Sequence, residues 1–452
     1  MPDTWVIENA YVATVDAGGT EHRRGHVVVH GNRIAAVGAG PAPEQWRTGR
    51  VVDGEGCLLT PGLVNTHHHL YQWITRGIAQ DDTLFGWLTT LYPIWARIDA
   101  EAVHDAASAN LGWMALSGCT FTTDHGYLHP RGGGDLLEAE IRGAQRIGLR
   151  FLPTRGSMNL GASSGGLPPD SVVEEHDEIL TATAAAIDRW HDPSPDSMLQ
   201  IAVAPCSPFS VTGELMRDSA ELARAKGVRL HTHLAETMDE EAFCLEKFGF
   251  TPTDYAESLG WLGEDVWMAH TVHLSDDAIA KFGATGTGVA HCPTSNGRLG
   301  SGIAPVRKLL AAGVPVGLGV DGAASNESGW MSEEMHQALL FARVKDGPTA
   351  LTARQALALG TIGGARVLGR SADLGSIEVG KLADLALWRV DGLAGADIQD
   401  PVCTLVFGSH LPLELLLVNG SPVVEKDRLV TADADDLAAA SRRASLRTVG
   451  ER

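Results

Sequence analysis

The chain has 452 residues, 44% of them hydrophobic, which is enough for one large domain with a sizeable core and a smaller companion. Asp and Glu number 56 against 35 Lys and Arg, so the formal net charge is -21. This charge repels nucleic-acid backbones and anionic membrane surfaces, and we therefore expect a small-molecule partner and neither nucleic acid nor membrane. Six widely spaced cysteines, no secretory signal and no long uninterrupted apolar stretch favour a cytoplasmic protein with reduced thiols.

The two ends of the chain share a β-rich texture. Short β-type runs punctuated by Gly and Asn occupy residues 5–58, and similar runs return at 383–388 and 415–420. We therefore predict that both ends combine into one small β-sandwich domain. The predicted domains are a first sandwich part at 1–58, a barrel at 59–369, and a second sandwich part with a C-terminal helical tail at 370–452.

Between these ends, apolar strand candidates alternate with amphipathic helical stretches, as in a parallel sheet with helices outside it. The predicted strands are centred on residues 58–64, 120–123, 150–153, 200–204, 228–233, 266–269, 288–291 and 314–320. Eight repeats over roughly 300 residues predict an α/β fold with a (β/α)8 barrel of the TIM type. The functional site of such a barrel lies at the C-terminal ends of its strands.

Histidines follow the first predicted barrel strand. His67 and His69 are two residues apart on an extended segment, so their imidazoles project to the same side while His68 projects to the other. Two imidazoles on one side can meet one metal ion. Histidine clusters also occur on solvated surfaces, but the position at a strand end favours a metal site.

The fifth predicted strand ends in a second group, HTHLAE at 231–236. His233 is the preferred metal ligand because it lies nearer the strand end, and His231, which faces the same way, is the alternative. Glu236 follows three residues later, close enough for its carboxylate to reach a water molecule held by the ion. Water activation requires such a free carboxylate beside the ligands.

Two further candidates follow the sixth and eighth strands. His270 ends the run VWMA, although such a histidine alone is commonly a hydrogen-bonded core or loop residue. Asp321 follows the apolar run VPVGLGV, where an unpaired carboxylate is costly unless a cation or a hydrogen-bond donor meets it. A divalent cation would compensate this charge, and the alternative is that Asp321 caps a helix beginning at Gly322.

Taken together, these motifs resemble the amidohydrolase superfamily, specifically its branch of aminohydrolases that act on nucleobases and triazines. The resemblance covers nearly the whole chain. It rests on PGLVNTHHH (61–69), HTHLAE (231–236), AH (269–270), HCPTSN (291–296), DGAASN (321–326) and DLGSIEVGKLADL (373–385).

The resemblance implies a single divalent metal, zinc or in some members iron, held by His67, His69, His233 and Asp321. It places Glu236 and His270 around the attacking water, with Glu236, His270 and Asp321 as the catalytic residues. Two-metal branches of the superfamily use a carboxylated lysine, and no Lys lies near the end of the predicted fourth strand. The resemblance also implies a homo-oligomer.

The loops that follow the strands suggest the substrate. The segments HHLYQ (68–72), LFGWL (84–88), LYPIWAR (91–97) and TRGSMNLG (154–161) resemble those of the 8-oxoguanine deaminases within this branch. The candidate substrate contacts are Gln72, Trp87, Arg155, Asn159 and Cys206. The alternatives are simple packing for Trp87, a structural loop for Arg155 and Asn159, and an inert buried thiol for Cys206; His125 is left open as a further contact.

These observations predict a hydrolase of C–N bonds in cyclic amidines, with conversion of 8-oxoguanine to urate and ammonia as the expected reaction. The alternatives are a triazine hydrolase that displaces chloride or an amine, or a deaminase of guanine, isocytosine or a pterin. A non-catalytic binding protein on the same fold is a further alternative. It is disfavoured because every ligand and the expected acid are present.

Overall fold

The computed structural model describes residues 4–47, 49–408 and 410–450. The strands of this part of the chain are β1 (Thr4–Ala13), β2 (Glu21–His30), β3 (Arg33–Ala39), β4 (Arg50–Asp53), β5 (Cys57–Pro61), β6 (Leu63–Asn65), β7 (His68–His69), β8 (Cys119–Gly126), β9 (Arg150–Ser157), β10 (Ala202–Pro205), β11 (Leu230–Leu234), β12 (Val266–His270), β13 (Gly288–His291), β14 (Val316–Leu318), β15 (Asp321–Gly322), β16 (Leu385–Arg389), β17 (Leu413–Val418), β18 (Ser421–Glu425) and β19 (Arg428–Leu429).

The α-helices follow the same order. They are α1 (Leu84–Trp95), α2 (Ala100–Leu116), α3 (Leu136–Ile147), α4 (His176–Trp190), α5 (Gly213–Lys226), α6 (Met238–Phe248), α7 (Pro252–Ser258), α8 (Asp276–Thr285), α9 (Pro293–Arg298), α10 (Val306–Ala311), α11 (Met331–Asp346), α12 (Ala353–Ala358), α13 (Gly364–Val367), α14 (Pro401–Phe407) and α15 (Ala434–Val449).

Eight parallel strands close into a barrel in the order β6, β8, β9, β10, β11, β12, β13 and β14. The barrel closes where Leu318 of β14 pairs with Asn65 of β6. Helices pack outside it, for example α3 against β9 and α5 against β10. Strands buried on both faces produce short apolar runs in the sequence, which is why their number could be predicted. The predicted (β/α)8 barrel is confirmed.

Strands from both ends of the chain form one nine-stranded sheet. Its order is β19, β18, β17, β16, β5, β1, β2 and β3, with β4 paired to β1. The two ends meet where β16 runs antiparallel to β5, from the Leu385–Pro61 pair to the Arg389–Cys57 pair. The prediction that both ends combine is thus confirmed, whereas the domain boundaries at residues 58 and 369 remain a prediction. Helix α15 packs against α2 of the barrel layer.

The first predicted barrel strand, 58–64, is divided between the two sheets. Cys57–Pro61 is β5 of the terminal sheet and Leu63–Asn65 is β6 of the barrel. Gly62 lies at the junction, where its N–H donates to Asp384 O and a Cβ would lie 2.2 Å from the Thr120 side chain. Only glycine fits this close approach. A continuous apolar run does not reveal the change of sheet, so the sequence prediction merged the two strands.

The short strands β7 and β15 form a parallel pair beyond the barrel strands β6 and β14. Asp321 pairs with His68 and Gly322 with His69. The N–H of Asp321 also donates to the carbonyl oxygen of His67, at 3.1 Å. This pairing brings the segments after the first and last barrel strands together at the C-terminal end of the barrel, where the candidate ligands lie.

Within the described ranges, we find no helix with the length and apolar composition needed to span a bilayer.

Candidate active site

The four predicted metal ligands converge at the C-terminal end of the barrel. Nε2 of His67 and Nε2 of His69 lie 3.2 and 3.3 Å from Oδ1 of Asp321. Nε2 of His69 also lies 3.1 Å from Nε2 of His233. All four side chains are buried. The structure therefore brings together residues that are separated by more than 250 positions in the sequence.

The second nitrogen of each imidazole shows how these rings are oriented. Nδ1 of His69 lies 2.8 Å from His125 O, and Nδ1 of His233 lies 2.7 Å from Cys206 O. A carbonyl oxygen only accepts, so both Nδ1 atoms carry the proton and both Nε2 atoms face the centre of the cluster. These two Nε2 atoms lie 3.1 Å apart, and their lone pairs repel each other unless a cation or a proton lies between them. Backbone carbonyls hold metal-binding histidines in this way.

His231, the alternative to His233, lies behind His67. Its Nδ1 donates to Trp267 O at 2.9 Å, so its Nε2 is an acceptor and receives the Nδ1–H of His67 at 2.8 Å. Nε2 of His67 has no hydrogen-bond partner in the described part of the chain, and it faces Asp321. This arrangement favours His233 as a ligand and His231 as the residue that orients His67.

The donor set fits a divalent ion. The donor atoms of His67, His270 and Asp321 lie within 4.8 Å of one another, and so do those of His67, His125 and His233. Neutral imidazoles and one carboxylate are ligands that suit zinc and iron. His125, which the sequence left open, lies beside His67 and His233. Its Nε2 donates to Ala204 O at 3.0 Å, and its buried Nδ1 has no hydrogen-bond partner within the described ranges.

Asp321 is fixed by its own turn. Its backbone is in the left-handed region, at φ 62°, and its Oδ1 accepts the N–H of Gly322 at 2.7 Å. Ser295 donates to Oδ2 at 2.6 Å. Burial opposes the charge, but contacts with His67 and His69 hold the pKa of Asp321 well below its usual range. The helix-capping alternative is not observed, because turns follow Gly322 and the next helix begins at Met331.

Glu236 and His270 lie beside Asp321. Nε2 of His270 is 3.6 Å from Oε2 of Glu236 and 3.9 Å from Oδ2 of Asp321. Burial, and then the charge of Asp321, raise the pKa of Glu236 to about 8, so this carboxyl group holds a proton at neutral pH. His270 shares a 3.0 Å hydrogen bond between its Nδ1 and Oδ1 of Asn296, which leaves its Nε2 as an acceptor facing the other two groups.

A cavity opens above these residues, at the C-terminal end of the barrel. Its polar lining includes His69, His233, Glu236, His270 and Asp321. The rest of the lining is largely apolar or aromatic and includes Leu84, Leu88, Tyr92, Tyr127, Phe209 and Leu299. A pocket of this kind binds a small planar molecule through apolar contact and a few polar groups.

Gln72 is the predicted substrate contact with the clearest geometry. It lies in the 3-10 segment Leu70–Thr75 that follows the ligand His69, lines the cavity and is 1% exposed. Neither its Oε1 nor its Nε2 has a hydrogen-bond partner among the described residues. A Cβ at Gly322 would lie 1.8 Å from Oε1, so the glycine gives this amide its room. A buried amide without partners is costly, and a heterocycle with a donor and an acceptor would satisfy it.

Trp87 and Cys206 also line the cavity. The indole N–H of Trp87 donates to Ala324 O at 3.1 Å and the ring packs against Trp95, so Trp87 is both a wall and a packing residue. Burial raises the pKa of Cys206 to about 12, which keeps its thiol neutral. Cys206 therefore presents a small, weakly polar surface to the cavity.

The structure does not bring Arg155 and Asn159 to the cavity lining. Arg155 forms a two-pronged ion pair with Glu174, at 2.6 and 3.1 Å. Asn159 exchanges two hydrogen bonds with Thr212, the N-cap of α5, at 3.0 and 2.8 Å. Substrate contact by Arg155 and Asn159 stays a prediction, since the structure shows only that their polar groups are hydrogen-bonded within the protein.

Sequence reasoning missed two residues of this site. Ser295 orients Asp321, and the only signal for it was its place in the motif HCPTSN. Tyr127 lines the cavity and packs edge-on against His69, with the ring centres 5.2 Å apart. The signal for Tyr127 was its position just beyond the second barrel strand, β8.

Comparisons with known proteins agree with this geometry. Residues 58–420 match the model of the amidohydrolase family. The chain is 44% identical over 423 residues to the 8-oxoguanine deaminase of Pseudomonas aeruginosa, with 93% of each protein covered. It is 37% identical to an isoxanthopterin deaminase from an unknown prokaryotic organism, with 91% of this chain and 89% of that protein covered.

A similar solved structure is the atrazine chlorohydrolase of Arthrobacter aurescens TC1 in complex with zinc. Its TM-score is 0.93 at 33% identity, and the match covers 98% of this chain and 100% of that one. The family match spans most of the sequence, and the relatives share its length as well as its fold. The chain therefore belongs to the amidohydrolase family.

Proposed function

We propose that this protein, a hydrolytic deaminase of the amidohydrolase family, acts on a purine-type heterocycle and converts 8-oxoguanine to urate and ammonia. The observation that supports this most is a protonated, buried Glu236 within 3.6 Å of His270, beside the ligand cluster and in one cavity with the free amide of Gln72. The 44% identity to an 8-oxoguanine deaminase supports the choice of substrate.

In this proposal, His67, His69, His233 and Asp321 hold one divalent ion, with zinc expected before iron. Their fit to an ion rests on the unpartnered Nε2 of His67 and on the two Nε2 atoms of His69 and His233 at 3.1 Å. When bound, such an ion lowers the pKa of water to about 7 and so provides the nucleophile near neutral pH.

The remaining chemistry is carried by the side chains. Nε2 of His270 accepts a hydrogen bond from the attacking water and orients it, because its Nδ1–H is held by Asn296. Asp321 takes one proton of this water as its oxygen bonds to the ring carbon that bears the amine. Glu236 gives its proton to the neighbouring ring nitrogen, where negative charge develops. The proton held by Asp321 then passes to the amine. The C–N bond breaks as the hydroxyl group on the ring carbon returns its proton to Glu236 and becomes the carbonyl, and ammonia leaves.

Substrate recognition is proposed for Gln72, Trp87 and Cys206. The amide of Gln72 can donate to one heteroatom and accept from another on the edge of a heterocycle. The Trp87 indole bounds the cavity with a flat apolar surface, and the neutral Cys206 thiol lies on the same wall. Arg155 and Asn159 are left out of this proposal because both are paired within the protein.

A triazine hydrolase is the second candidate. It is favoured by the close fold match to the atrazine chlorohydrolase structure, at a TM-score of 0.93. The presence of Glu236 favours deamination, because an amine must be protonated to leave whereas chloride need not be.

The test is a substrate screen with the purified protein and its metal quantified. The panel comprises 8-oxoguanine, guanine, isocytosine, pterins, aminotriazines and hydroxyatrazine, with ammonia release and kcat/KM measured for each. We expect 8-oxoguanine to give the highest kcat/KM, one ammonia per substrate consumed and about one metal ion per chain. A higher value for a triazine or a pterin would replace the proposed substrate, and a protein without stoichiometric metal would contradict the ligand set.

We also propose that the protein works as a homo-oligomer in the cytoplasm. Light scattering coupled to size-exclusion chromatography tests the first part, and fractionation of the source cells tests the second.

A further inference from the structure

The turn that presents Glu236 is short and strained. Strand β11 ends at Leu234 and helix α6 begins at Met238, so only three residues connect them. Ala235 adopts φ 53°, a left-handed conformation that is unfavourable for a residue with a Cβ. The carbonyl of Ala235 accepts the N–H groups of Val272 and His273, which ties the turn to the loop after β12. The position of Glu236 therefore depends on what holds the other side of this turn.

Glu240 holds that side. Its Oε1 accepts the N–H of Ala235 and its Oε2 accepts the N–H of Glu236, both at 2.9 Å. Glu240 is 0% exposed, so both of these hydrogen bonds are shielded from water. Among the described residues, these two N–H groups donate to no backbone carbonyl, and buried N–H groups cost free energy when unsatisfied.

The sequence around Glu240 has the pattern of a capping box, but the contacts of Glu240 differ from those of a capping box. Thr237 is the N-cap of α6, and its Oγ1 accepts the N–H of Glu240 at 3.4 Å. In a capping box, the glutamate three residues after the N-cap accepts the N–H of the N-cap residue itself. Here its carboxylate reaches further back, to the two residues before Thr237. The Glu240 carboxylate therefore binds the turn that bears Glu236 instead of the N-cap residue of α6.

We propose that Glu240 is a positioning residue for Glu236, an inference that rests on the proposed role of Glu236 as proton donor. The two bonds from one carboxylate fix both peptide N–H groups of the Ala235–Glu236 turn and stabilise its left-handed residue. They thereby keep the Glu236 carboxyl group within 3.6 Å of Nε2 of His270. Glu240 itself neither lines the cavity nor belongs to the proposed ligand set, and its hydrogen bonds reach the backbone of Ala235 and Glu236.

The test is Glu240→Gln, which replaces one acceptor oxygen with an NH2 group and preserves the size of the side chain. We expect kcat to fall about 10- to 100-fold through displacement of Glu236, with KM changed by less than about 2-fold and the metal content unchanged. The matched control is Glu241→Gln on the next residue, which lies in the same first turn of α6 but is only half-buried. The control is expected to keep wild-type kcat.

A double-mutant cycle separates positioning from a general structural effect. If Glu240 acts through Glu236, adding Glu240→Gln to Glu236→Gln lowers kcat by less than about 2-fold beyond Glu236→Gln alone. A full additional loss in the double variant overturns the proposal, and so does a wild-type kcat for Glu240→Gln. Near-wild-type kcat for Glu236→Gln alone would instead contradict the proposed function, so the two failures are distinguishable.

Should Glu240→Gln not fold, Glu240→Asp carries the same cycle. It keeps the carboxylate on a shorter stem, so we expect a loss of kcat smaller than that of Glu240→Gln and the same lack of additivity with Glu236→Gln. A Glu240→Asp protein with lower metal content or a raised KM would contradict the proposal.

Discussion

The proposed ligand cluster and the wall of the cavity differ in how their polar groups are satisfied. In the cluster, Nδ1 of His69 and Nδ1 of His233 each donate to a backbone carbonyl, so each Nε2 is held toward the centre. On the wall, the N–H of Trp87 is satisfied by Ala324 O, whereas both polar atoms of Gln72 are buried and unpartnered. The cluster is therefore arranged for an ion in advance, and polar recognition on the wall depends largely on one amide.

The largest effect is expected from removing Glu236, the acid that lines the cavity beside the ligand cluster. Glu236→Gln keeps the shape of the side chain but has no carboxyl proton to donate, so turnover should fall about 10²- to 10⁴-fold. Its metal content should stay at the wild-type level, since Glu236 is outside the proposed ligand set. Steady-state ammonia release and metal analysis on the same sample measure both quantities. Near-wild-type turnover would sink the assignment of Glu236.

The next-largest effect tests which histidine binds the metal ion, His233 or His231. His231→Ala removes the acceptor for Nδ1–H of His67, and loss of such an orienting partner lowers metal affinity about 10- to 100-fold. His233→Ala removes a proposed ligand and should abolish stoichiometric binding. Competition with a chelator of known affinity measures both variants. The ligand assignment would be reversed if His231→Ala lost all metal while His233→Ala retained it.

A smaller effect on kcat/KM is expected from changing Gln72 in the cavity wall. Gln72→Leu removes two hydrogen bonds of about 0.5–1.5 kcal/mol each and should lower kcat/KM for the preferred substrate about 10-fold. Asn159→Ala, which disturbs only the bonds to Thr212, should leave kcat/KM within about 2-fold of wild type. Initial-rate kinetics at matched metal content compare the two. An equal loss in both variants would restore Asn159 to the substrate site.

The smallest effect concerns stability away from the cavity. Burial, and then the neighbouring Asp124 carboxyl group, raise the pKa of Glu140 well above its ordinary value of 4.5. The unfolded chain therefore binds fewer protons than the folded one above about pH 4.5, and stability falls as the pH rises toward the folded pKa. Glu140→Gln cannot ionise, so we expect it to be more stable than wild type by about 1 kcal/mol or more at pH 8.

This difference should shrink as the pH falls to 5, because the unfolded-state carboxyl group, with its ordinary pKa of 4.5, then binds a proton for a larger fraction of the time while the folded one stays protonated. Urea unfolding of both proteins at pH 5 and pH 8 measures it, with the exposed Glu221→Gln as the control that should show no pH-dependent difference. A Glu140→Gln protein that is less stable than wild type at pH 8 would contradict the prediction.

Most of the barrel and of the ligand cluster was predictable because the relevant signals are local. A strand buried on both faces is a short apolar run, and a histidine or aspartate directly after such a run lies at the C-terminal end of the barrel. The division at Gly62 was not predictable, since the residues on both sides are apolar and the constraint comes from Thr120, far along the chain. Ser295 was missed for the same reason, because its partner Asp321 follows it by 26 residues.

By itself the amino-acid sequence determined the fold class, the joining of both chain ends in one sheet, and the set of residue types that converge at the barrel end. Only the tertiary structure distinguishes the surroundings of His231 from those of His233, because residues two apart on a strand face the same way and packing decides the neighbour of each ring. It also shows the partners of Arg155 and Asn159, two residues whose contact with the substrate stays a prediction. Their partners Glu174 and Thr212 lie on other segments, and a side chain's partners are a property of packing rather than of local pattern.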